Sequence, residues 1–259
     1  MLRPRIVPCL LVHEGGLVKT VRFNDPTYVG DPINAVRIFN EKEVDELVVL
    51  DIDATAKSVE PDFNLIGNLA AECRMPLCYG GGITSVAQAK RIISLGVEKV
   101  ALSASAVANP ALVSEISAEI GRQSTVVVLD VRKRTFGGRY DVYTHNGTIK
   151  TGLSALDFAK ELEVRGAGEI VFNSIDRDGT TKGYDLDLAR QLRAAVNVPI
   201  SMVGGAGSLE DIEELICEVG VLGAIAGSLF VFKGKYRAVL INYPQPDLKE
   251  QLVLRSLKK

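Results

Sequence analysis

The chain of 259 residues lacks tryptophan and has few residues that bind metals through nitrogen or sulfur. Its two histidines and four cysteines show no metal-ligand spacing, so we predict no metal site and no cofactor. We interpret the cysteines as reduced core residues of a cytoplasmic protein. These residues are His13, His145, Cys9, Cys73, Cys78 and Cys217.

The sequence also lacks an excess of positive charge and a long hydrophobic run. Its formal net charge is −2 and its pI is about 5.8, which argues against a nucleic-acid partner or an acidic membrane surface. The apolar run Ile6–Val12 is too short for a secretory segment, and Val219–Phe232 is interrupted by glycines and too short to span a bilayer. We therefore expect a small-molecule ligand, no nucleic acid and no membrane.

Two glycine-rich stretches look like copies of one loop. Each follows a short apolar run and ends at a serine suited to cap a helix, Ser85 in the first and Ser208 in the second. Glycines at such a position let backbone N–H groups approach an anion, most often phosphate. The preceding prolines, Pro76 and Pro199, are 123 residues apart, close to half of the chain, which indicates an internal duplication.

Eight β-rich runs alternate with amphipathic segments over the whole chain. This alternation predicts an α/β fold, a single (β/α)8 TIM barrel, rather than an open doubly wound sheet. One domain covers residues 1–259, with half-barrels at about 1–122 and 123–244 and a tail at 245–259 that either covers the barrel or frays. The segment Val131 to Lys150 reads as a hairpin insertion after the fifth barrel strand. The predicted strands are Arg5–Val12, Glu46–Ile52, Pro76–Gly80, Glu98–Ser103, Ser124–Asp130, Glu169–Ser174, Pro199–Val203 and Leu222–Gly227. The predicted helices are Pro32–Glu43, Phe63–Cys73, Val86–Leu95, Ala111–Gly121, Ala155–Arg165, Leu186–Val196 and Leu209–Glu218.

The duplication extends to the strands beside the glycine loops. Glu46–Asp53 lies over Glu169–Asp176 at the same offset of 123, and Val100–Ala104 lies over Ala224–Ser228 one residue further. Together these segments predict two phosphate pockets at the carboxyl ends of the strands, and hence a ligand phosphorylated at both ends. The alternative to phosphate binding is that these small residues only allow tight turns between strand and helix.

Asp130 follows four apolar residues and is our candidate general acid or base, because partial burial raises a carboxyl pKa. A carboxylate that caps a loop is the alternative reading. When the first strand is laid over the fifth, Leu11 falls opposite Asp130, so the paired carboxylate of a symmetric site is missing.

Seven stretches along the chain up to about Pro244 carry a resemblance to a known family. They are Arg5-Ile6-Val7-Pro8-Cys9-Leu10, Gly30-Asp31-Pro32, Asp45-Glu46-Leu47-Val48, Gly80-Gly81-Gly82-Ile83, Ala106-Val107, Arg165-Gly166-Ala167-Gly168-Glu169-Ile170 and Ser174-Ile175-Asp176-Arg177-Asp178-Gly179-Thr180. With these stretches the chain resembles the HisF family, the cyclase subunits of imidazole glycerol phosphate synthase. The resemblance implies a barrel that takes ammonia from a HisH-like glutaminase and uses it on a doubly phosphorylated aminoimidazole precursor, with two aspartates as acid and base. Asp130 matches one aspartate and Leu11 replaces the other.

The resemblance also implies residues that bind the phosphorylated ligand, with some departures from the family pattern. Ser103-Ala104 stands where the family has an Asn-Thr pair, and Val203 where it has a hydroxyl residue. Asp51 and Asp178 match mouth carboxylates, although either could instead hold a loop. The predicted phosphate and substrate residues are Lys19, Asp51, Gly81, Gly82, Ser103, Ala104, Asp178, Gly204, Gly205, Gly227 and Ser228.

Four residues of alternating charge stand at the amino ends of strands one, two, four and six: Arg5, Glu46, Lys99 and Glu169. Charges that converge there could form a salt-bridged ring, or they could be separately solvated. In the HisF family the matching positions form the gate through which ammonia enters from the glutaminase.

An intact gate beside an altered mouth resembles a HisF-like subgroup associated with glycosyl amidation. In that subgroup the barrel is thought to pass ammonia toward an N-acetyl-sugar amidotransferase that makes acetamidino sugars of surface polysaccharide. A functional cyclase of histidine biosynthesis and a non-catalytic scaffold are the alternatives. The stretches that carry this resemblance are Cys9-Leu10-Leu11, Gly16-Leu17-Val18-Lys19-Thr20-Val21, Tyr28-Val29-Gly30-Asp31-Pro32-Ile33-Asn34-Ala35, Arg37-Ile38-Phe39-Asn40-Glu41-Lys42-Glu43 and Ser228-Leu229-Phe230-Val231-Phe232.

Overall fold

Strands and helices alternate along the chain in the computed structural model, which describes residues 3–257. The strands are β1 (Arg5–His13), β2 (Gly16–Val21), β3 (Asn24–Gly30), β4 (Leu47–Asp51), β5 (Leu77–Gly80), β6 (Lys99–Leu102), β7 (Thr125–Lys133), β8 (Tyr140–Thr144), β9 (Ile149–Ser154), β10 (Glu169–Ser174), β11 (Ile200–Val203), β12 (Gly223–Ala226), β13 (Phe232–Lys233) and β14 (Ala238–Val239). The helices are α1 (Pro32–Glu41), α2 (Phe63–Glu72), α3 (Val86–Ser94), α4 (Ala104–Ala108), α5 (Ala111–Ile120), α6 (Ala155–Val164), α7 (Leu186–Ala195), α8 (Leu209–Val219), α9 (Ser228–Val231) and α10 (Pro246–Ser256).

Eight parallel strands close into a barrel. They pair in the order β1, β4, β5, β6, β7, β10, β11 and β12, and β12 pairs again with β1. The predicted (β/α)8 barrel is therefore confirmed, and each predicted strand and helix is present within three residues of its predicted ends. Outward-facing side chains pack under the helices, while a separate column of apolar side chains fills the barrel interior.

Two antiparallel hairpins extend the barrel strands at the mouth, which is the end formed by the strands' carboxyl termini. After β7 the chain continues through β8 and β9, which confirms the predicted hairpin insertion, although it runs on to Ser154. The second hairpin, β2 with β3, pairs with the end of β1 and was not predicted. We refer to β2 and β3 together as the β2–β3 lid.

The two glycine loops have corresponding geometry, as the duplication predicts. Ser85 and Ser208 cap α3 and α8, each accepting a hydrogen bond from the backbone N–H three residues later. Gly81 and Gly204 have φ of 128° and 100°, and a Cβ on either would lie within 2.7 Å of a carbonyl oxygen on the preceding barrel strand. Only glycine fits such an approach. The half-barrel limits of 1–122 and 123–244 remain a prediction.

The last helix covers the barrel instead of fraying. Leu252 and Val253 of α10 are buried, and Lys249 forms a 2.7 Å salt bridge with Asp45 at the amino-terminal end of the barrel. The final predicted residues of the tail, 258 and 259, lie outside the described part. Within residues 3–257, no helix is both long enough and apolar enough to cross a membrane.

Candidate functional site at two ends of one barrel

A pocket of about 170 Å³ lies at the mouth, between the carboxyl ends of the barrel strands. All twelve residues predicted for catalysis or ligand binding line it, although they come from distant parts of the chain. They are Lys19, Asp51, Gly81, Gly82, Ser103, Ala104, Asp130, Asp178, Gly204, Gly205, Gly227 and Ser228. His145, Asn146 and Asn173 also line the pocket and were missed by the sequence analysis. His145 and Asn146 lie in the hairpin insertion, and Asn173 lies in a duplicated strand where the first half has the apolar Leu50, so none of them carried a local signal of a site.

Asp130 is half-buried near the end of the apolar strand β7. It pairs in register with Asn173 on β10, whose side-chain Nδ2 donates a 2.9 Å hydrogen bond to Oδ1 of Asp130. Burial raises the pKa of Asp130 to about 7; the hydrogen bond from Asn173 opposes this rise, and the negative charge of Asp178 adds to it. A carboxyl group with this pKa can both donate and accept a proton near neutral pH.

Leu11 occupies the corresponding place on β1. It pairs with Leu50 on β4 and lines the mouth pocket, and its side chain packs against the interior column of apolar residues. The mouth therefore has an apolar residue at the position that the duplication pairs with Asp130. A leucine can neither donate nor accept a proton, so a two-carboxylate mechanism would lack one of its partners here.

Lys19 projects from the β2–β3 lid into the mouth. Its side chain is buried, Nζ donates a hydrogen bond to the carbonyl oxygen of Cys9, and it forms no salt bridge with any residue from 3 to 257. Burial lowers the pKa of Lys19, and the nearby Cys9 and Asp178 oppose this fall. A Cβ at Gly227 would lie 2.6 Å from Nζ, so the glycine makes room for the amine.

Asp178 fixes the lid to the barrel. Its Oδ2 accepts hydrogen bonds from Thr20 Oγ1 at 2.8 Å and from the backbone N–H of Phe23 at 3.1 Å. The carbonyl oxygen of Asp178 also accepts the N–H of Arg22 at 3.0 Å. Burial raises the pKa of Asp178 despite the hydrogen bonds from Phe23 and Thr20. The residue thus faces the mouth and also holds a loop, so the two readings of the sequence are compatible.

Asp51 likewise both lines the mouth and holds a loop. Its Oδ1 accepts the backbone N–H groups of Asp53 and Ala54 at 2.8 and 3.1 Å. Burial raises the pKa of Asp51, and these two hydrogen bonds oppose the rise.

The turn between β8 and β9 reaches across the mouth. Asn146 donates a 2.9 Å hydrogen bond from Nδ2 to the carbonyl oxygen of Ile52, which follows β4. A Cβ at the next residue, Gly147, would lie 3.2 Å from both Phe23 of the β2–β3 lid and Ile175. The two hairpins therefore approach each other at the mouth, where residues of both line the pocket.

The opposite end of the barrel carries a closed ring of charges, which we call the charge ring: Arg5, Glu46, Lys99 and Glu169. Arg5 binds Glu46 and, at 2.7 Å, Glu169. Lys99 binds the same two carboxylates at 2.8 and 3.0 Å. Each charge has two partners of opposite sign, so the salt-bridged reading of these four residues is confirmed by the geometry.

The charge ring strongly lowers the pKa of Glu169. Burial alone would raise its pKa, but the positive charges of Arg5 and Lys99 outweigh burial and lower the pKa to about 2. Ser201 adds a short hydrogen bond from its hydroxyl to Oε1 of Glu169. Glu169 is therefore ionised at neutral pH, where it binds both Arg5 and Lys99.

The apolar interior column joins the charge ring to the mouth. A cavity of about 20 Å³ lies just inside the ring, large enough for one water-sized molecule. Five residues line both this cavity and the mouth pocket, so the two spaces meet at one level of the barrel. These shared residues are Cys9, Leu50, Ala101, Val128 and Val203.

These features define a (β/α)8-barrel protein with a small-molecule-sized pocket at the carboxyl ends of its strands. The chain belongs to the histidine biosynthesis protein family, His_biosynth, whose sequence model matches residues 5–237. The predicted membership of the HisF family is confirmed by its relatives.

The similar proteins cover nearly the whole chain. A protein of Vibrio vulnificus, provisionally named an imidazole glycerol phosphate synthase subunit of HisF type, is 56% identical over 97% of this chain and 96% of its own length. A provisionally named HisF subunit of Leptospira borgpetersenii is 55% identical over 97% of this chain and 99% of its own. The HisF subunit of Alkaliphilus metalliredigens is 40% identical over 97% of this chain and 96% of its own.

Proposed function

We propose that this chain is the HisF-like subunit of a glutamine amidotransferase assembly. In this proposal a HisH-like glutaminase docks at the charge ring, ammonia passes through the apolar column, and the mouth delivers it for amidation of an N-acetyl sugar in the cytoplasm. The product would be an acetamidino sugar of surface polysaccharide. The observation that carries the proposal is the closed charge ring at one end of a barrel whose mouth has Leu11 opposite Asp130.

The charge ring suits a gate because its charges are mutually neutralised and still reach the surface. Arg5 and Lys99 keep 27% and 17% of their side chains exposed, whereas Glu46 and Glu169 keep 6% and 9%. A docking partner can therefore reach the cations, and moving one of them leaves two nearly buried carboxylates with one cationic partner each instead of two. This coupling of a surface contact to a buried ion pair is a physical means of opening the ring.

The interior column suits a neutral, water-sized passenger. Its lining between the ring and the mouth is aliphatic side chains and the thiols of Cys9 and Cys78. Neutral ammonia crosses such a lining at lower cost than ammonium, because an unpaired charge is expensive to bury. The charged ends and apolar middle therefore favour NH3 as the species that passes.

The mouth suits a phosphorylated small molecule, and two functions are compatible with it. The first candidate is delivery of ammonia for sugar amidation, and the second is the ordinary cyclisation reaction of the family. The first candidate is favoured by Leu11, which removes a proton-transfer group. The second is favoured by Asp130, whose pKa of about 7 suits an acid or base, and by the retained glycine loops. A third reading makes the barrel a scaffold that only holds other enzymes together.

Turnover of the family's aminoimidazole precursor with ammonium salts separates the first two candidates. We expect a rate well below that of an ordinary HisF cyclase, and an ordinary rate would overturn the sugar-amidation proposal. The scaffold reading is tested with amide-¹⁵N glutamine in excess unlabelled ammonium, in the assembly with its glutaminase and acceptor enzyme.

Channelled ammonia gives ¹⁵N-labelled product in that experiment. Lys99→Glu should abolish the labelling while the complex persists, because it reverses a charge in the gate. Lys90→Glu is the matched control, since Lys90 is an exposed lysine paired with Glu119 on the barrel's outer surface. Equally labelled product from the Lys99→Glu and wild-type assemblies would contradict passage of ammonia through the charge ring, and unlabelled product from both assemblies would support the scaffold reading.

A further inference from the structure

The side chain of Asn173 stands where the interior column meets the mouth. Alternate residues of a strand face the barrel interior, and on β10 these are Glu169, Val171 and Asn173. Glu169 belongs to the charge ring, Val171 lines the interior cavity, and Asn173 lines the mouth pocket. A molecule that passes up the column alongside β10 therefore reaches Asn173 as it leaves.

The amide of Asn173 is only half satisfied. Its Nδ2 donates to Asp130, but its Oδ1 is shielded from solvent and has no hydrogen-bond partner within residues 3–257. A buried acceptor without a partner costs about 1–3 kcal/mol, so native proteins rarely retain one without a function. The terminal torsion of asparagine is soft, so a small rotation turns Oδ1 toward a ligand in the pocket.

The groups at the junction of the interior column and the mouth determine which ligand chemistry fits there. Oδ1 of Asn173 and the free oxygen of an ionised Asp130 are both acceptors, while Val171 and Val203 beside them are apolar. Two acceptors next to an apolar column fit a small molecule with several N–H donors. Ammonia that donates two N–H groups to these oxygens keeps its lone pair free, whereas a site that donated a proton to ammonia would consume the lone pair needed for nucleophilic attack.

We propose that Oδ1 of Asn173 and the carboxylate of Asp130 form a binding site for ammonia at the exit of the interior column. The proposal rests on the conduit function proposed above and assigns a place where the nucleophile is held before it attacks. Asn173 is thus a positioning residue, and it acts together with a carboxylate that it also orients. The site disfavours ligands that offer only hydrogen-bond acceptors, since neither oxygen can donate a hydrogen bond while Asp130 is ionised.

The test follows the ionisation of Asp130 by ¹³C NMR of the full chain labelled at aspartate Cγ. The Asp130 signal is assigned by its loss in Asp130→Asn. Other titratable groups face the same pocket, namely Cys9, Lys19, Asp51, Asp178 and His145, so the titration is read at the Asp130 carbon itself. Each titration is run in ammonium chloride and, at equal ionic strength, in potassium chloride, whose cation donates no hydrogen bond.

Ammonium should lower the pKa of Asp130 in the wild-type protein more than potassium does, because it offers the same N–H donors as ammonia and binds the ionised carboxylate and Oδ1 of Asn173 through them. The shift should reach about one pH unit when ammonium is about ten times its dissociation constant. Asn173→Leu should abolish the ammonium shift. Thr55→Val, which removes a hydroxyl from the same pocket at nearly constant shape, should leave it unchanged.

Equal effects of ammonium and potassium on the wild-type protein would overturn the proposal even if Asn173→Leu did not fold. A full ammonium shift in folded Asn173→Leu would overturn it as well. The measurement needs neither glutaminase nor sugar, so its outcome is separate from the fate of the proposed function. If ammonium shifts the pKa of Asp130 but Lys99→Glu leaves ¹⁵N transfer intact, the proposed ammonia-binding site is supported and the proposed passage of ammonia through the charge ring is contradicted.

Discussion

At the scale of single residues, the mouth combines a carboxyl group whose pKa is raised to about 7 with a leucine that cannot transfer protons. Asp130 could be selected from the sequence because it follows four apolar residues, and its position in the pocket agrees with that prediction. Its partner Asn173 could not be selected, because the pair is 43 residues apart and depends on the register of β10 against β7. Contacts between distant strands have no local sequence signal.

Replacing Asp130 by asparagine should stabilise the protein more at high pH than at low pH. The folded-state pKa of about 7 is raised above the ordinary value of 3.8, so the folded protein holds a proton that the unfolded chain loses, and stability falls as pH rises toward 7. The stability difference between Asp130→Asn and wild type should grow by up to about 2 kcal/mol between pH 5.5 and 8.5. Urea unfolding at both pH values measures it. Asp157→Asn, on the exposed first turn of α6, should show no such growth.

Replacing Leu11 by aspartate should restore the second carboxylate of the mouth. Because general acid–base catalysis contributes about 10²- to 10⁴-fold, turnover of the aminoimidazole precursor with ammonium salts should rise by a factor in that range. Steady-state kinetics of the free barrel measures the gain. Leu11→Asn provides a polar control of similar size without a titrating group, and an equal gain in that variant would contradict the role of proton transfer.

At the scale of elements, the sequence predicted the barrel strands and helices because each has a clear apolar period and a recognisable cap. The β2–β3 lid was missed because its outer strand β3 is mostly exposed and carries Asn24, Asp25 and Pro26, which are poor strand formers. What holds β3 in place is its pairing with β2 and the contacts of the lid with Asp178, and neither is visible in a local window.

Removing the hydroxyl of Thr20 should loosen the β2–β3 lid. Thr20→Val is nearly isosteric and deletes the 2.8 Å hydrogen bond to Asp178, and a hydrogen bond to a charged group contributes about 1.5–3 kcal/mol. Tryptic cleavage after Arg22 should therefore become about tenfold faster or more. Limited proteolysis followed by mass spectrometry measures this rate. Thr27→Val on exposed β3 is the control, and matching rates in the two variants would show that Thr20 does not fasten the lid.

At the scale of the whole molecule, the charge ring joins four of the eight barrel strands at their amino ends. Its members come from β1, β6 and β10 and from the residue just before β4, so strands far apart in sequence are linked through two nearly buried carboxylates. The sequence showed the alternation of charge and left open whether the four residues form a salt-bridged ring or are separately solvated, because side-chain reach across a barrel depends on strand tilt. The ring is therefore a candidate gate, and it also links the amino ends of four barrel strands to one another.

Replacing Glu169 by glutamine should destabilise the barrel at neutral pH and much less in acid. The pKa of about 2 is below the ordinary 4.5, so the stabilisation is present above pH 4.5 and is lost as pH falls toward 2. The expected loss is roughly 3 kcal/mol at pH 7 and less than half of that at pH 3. Guanidinium unfolding at the two pH values measures both. Glu119→Gln, an exposed partner of Lys90, should change stability little at either pH.

The charge ring also bears on how such a barrel could have arisen. When the chain is divided at the proposed boundary after residue 122, the first half brings Arg5, Lys99 and Glu46 to the ring, and the second half brings only Glu169. Two copies of the first half would crowd four cations around two anions, and two copies of the second would leave two anions alone. Only the mixed pair is neutral, so the ring in its present form belongs to a time after the two halves had diverged, and it now favours their pairing with each other over self-association.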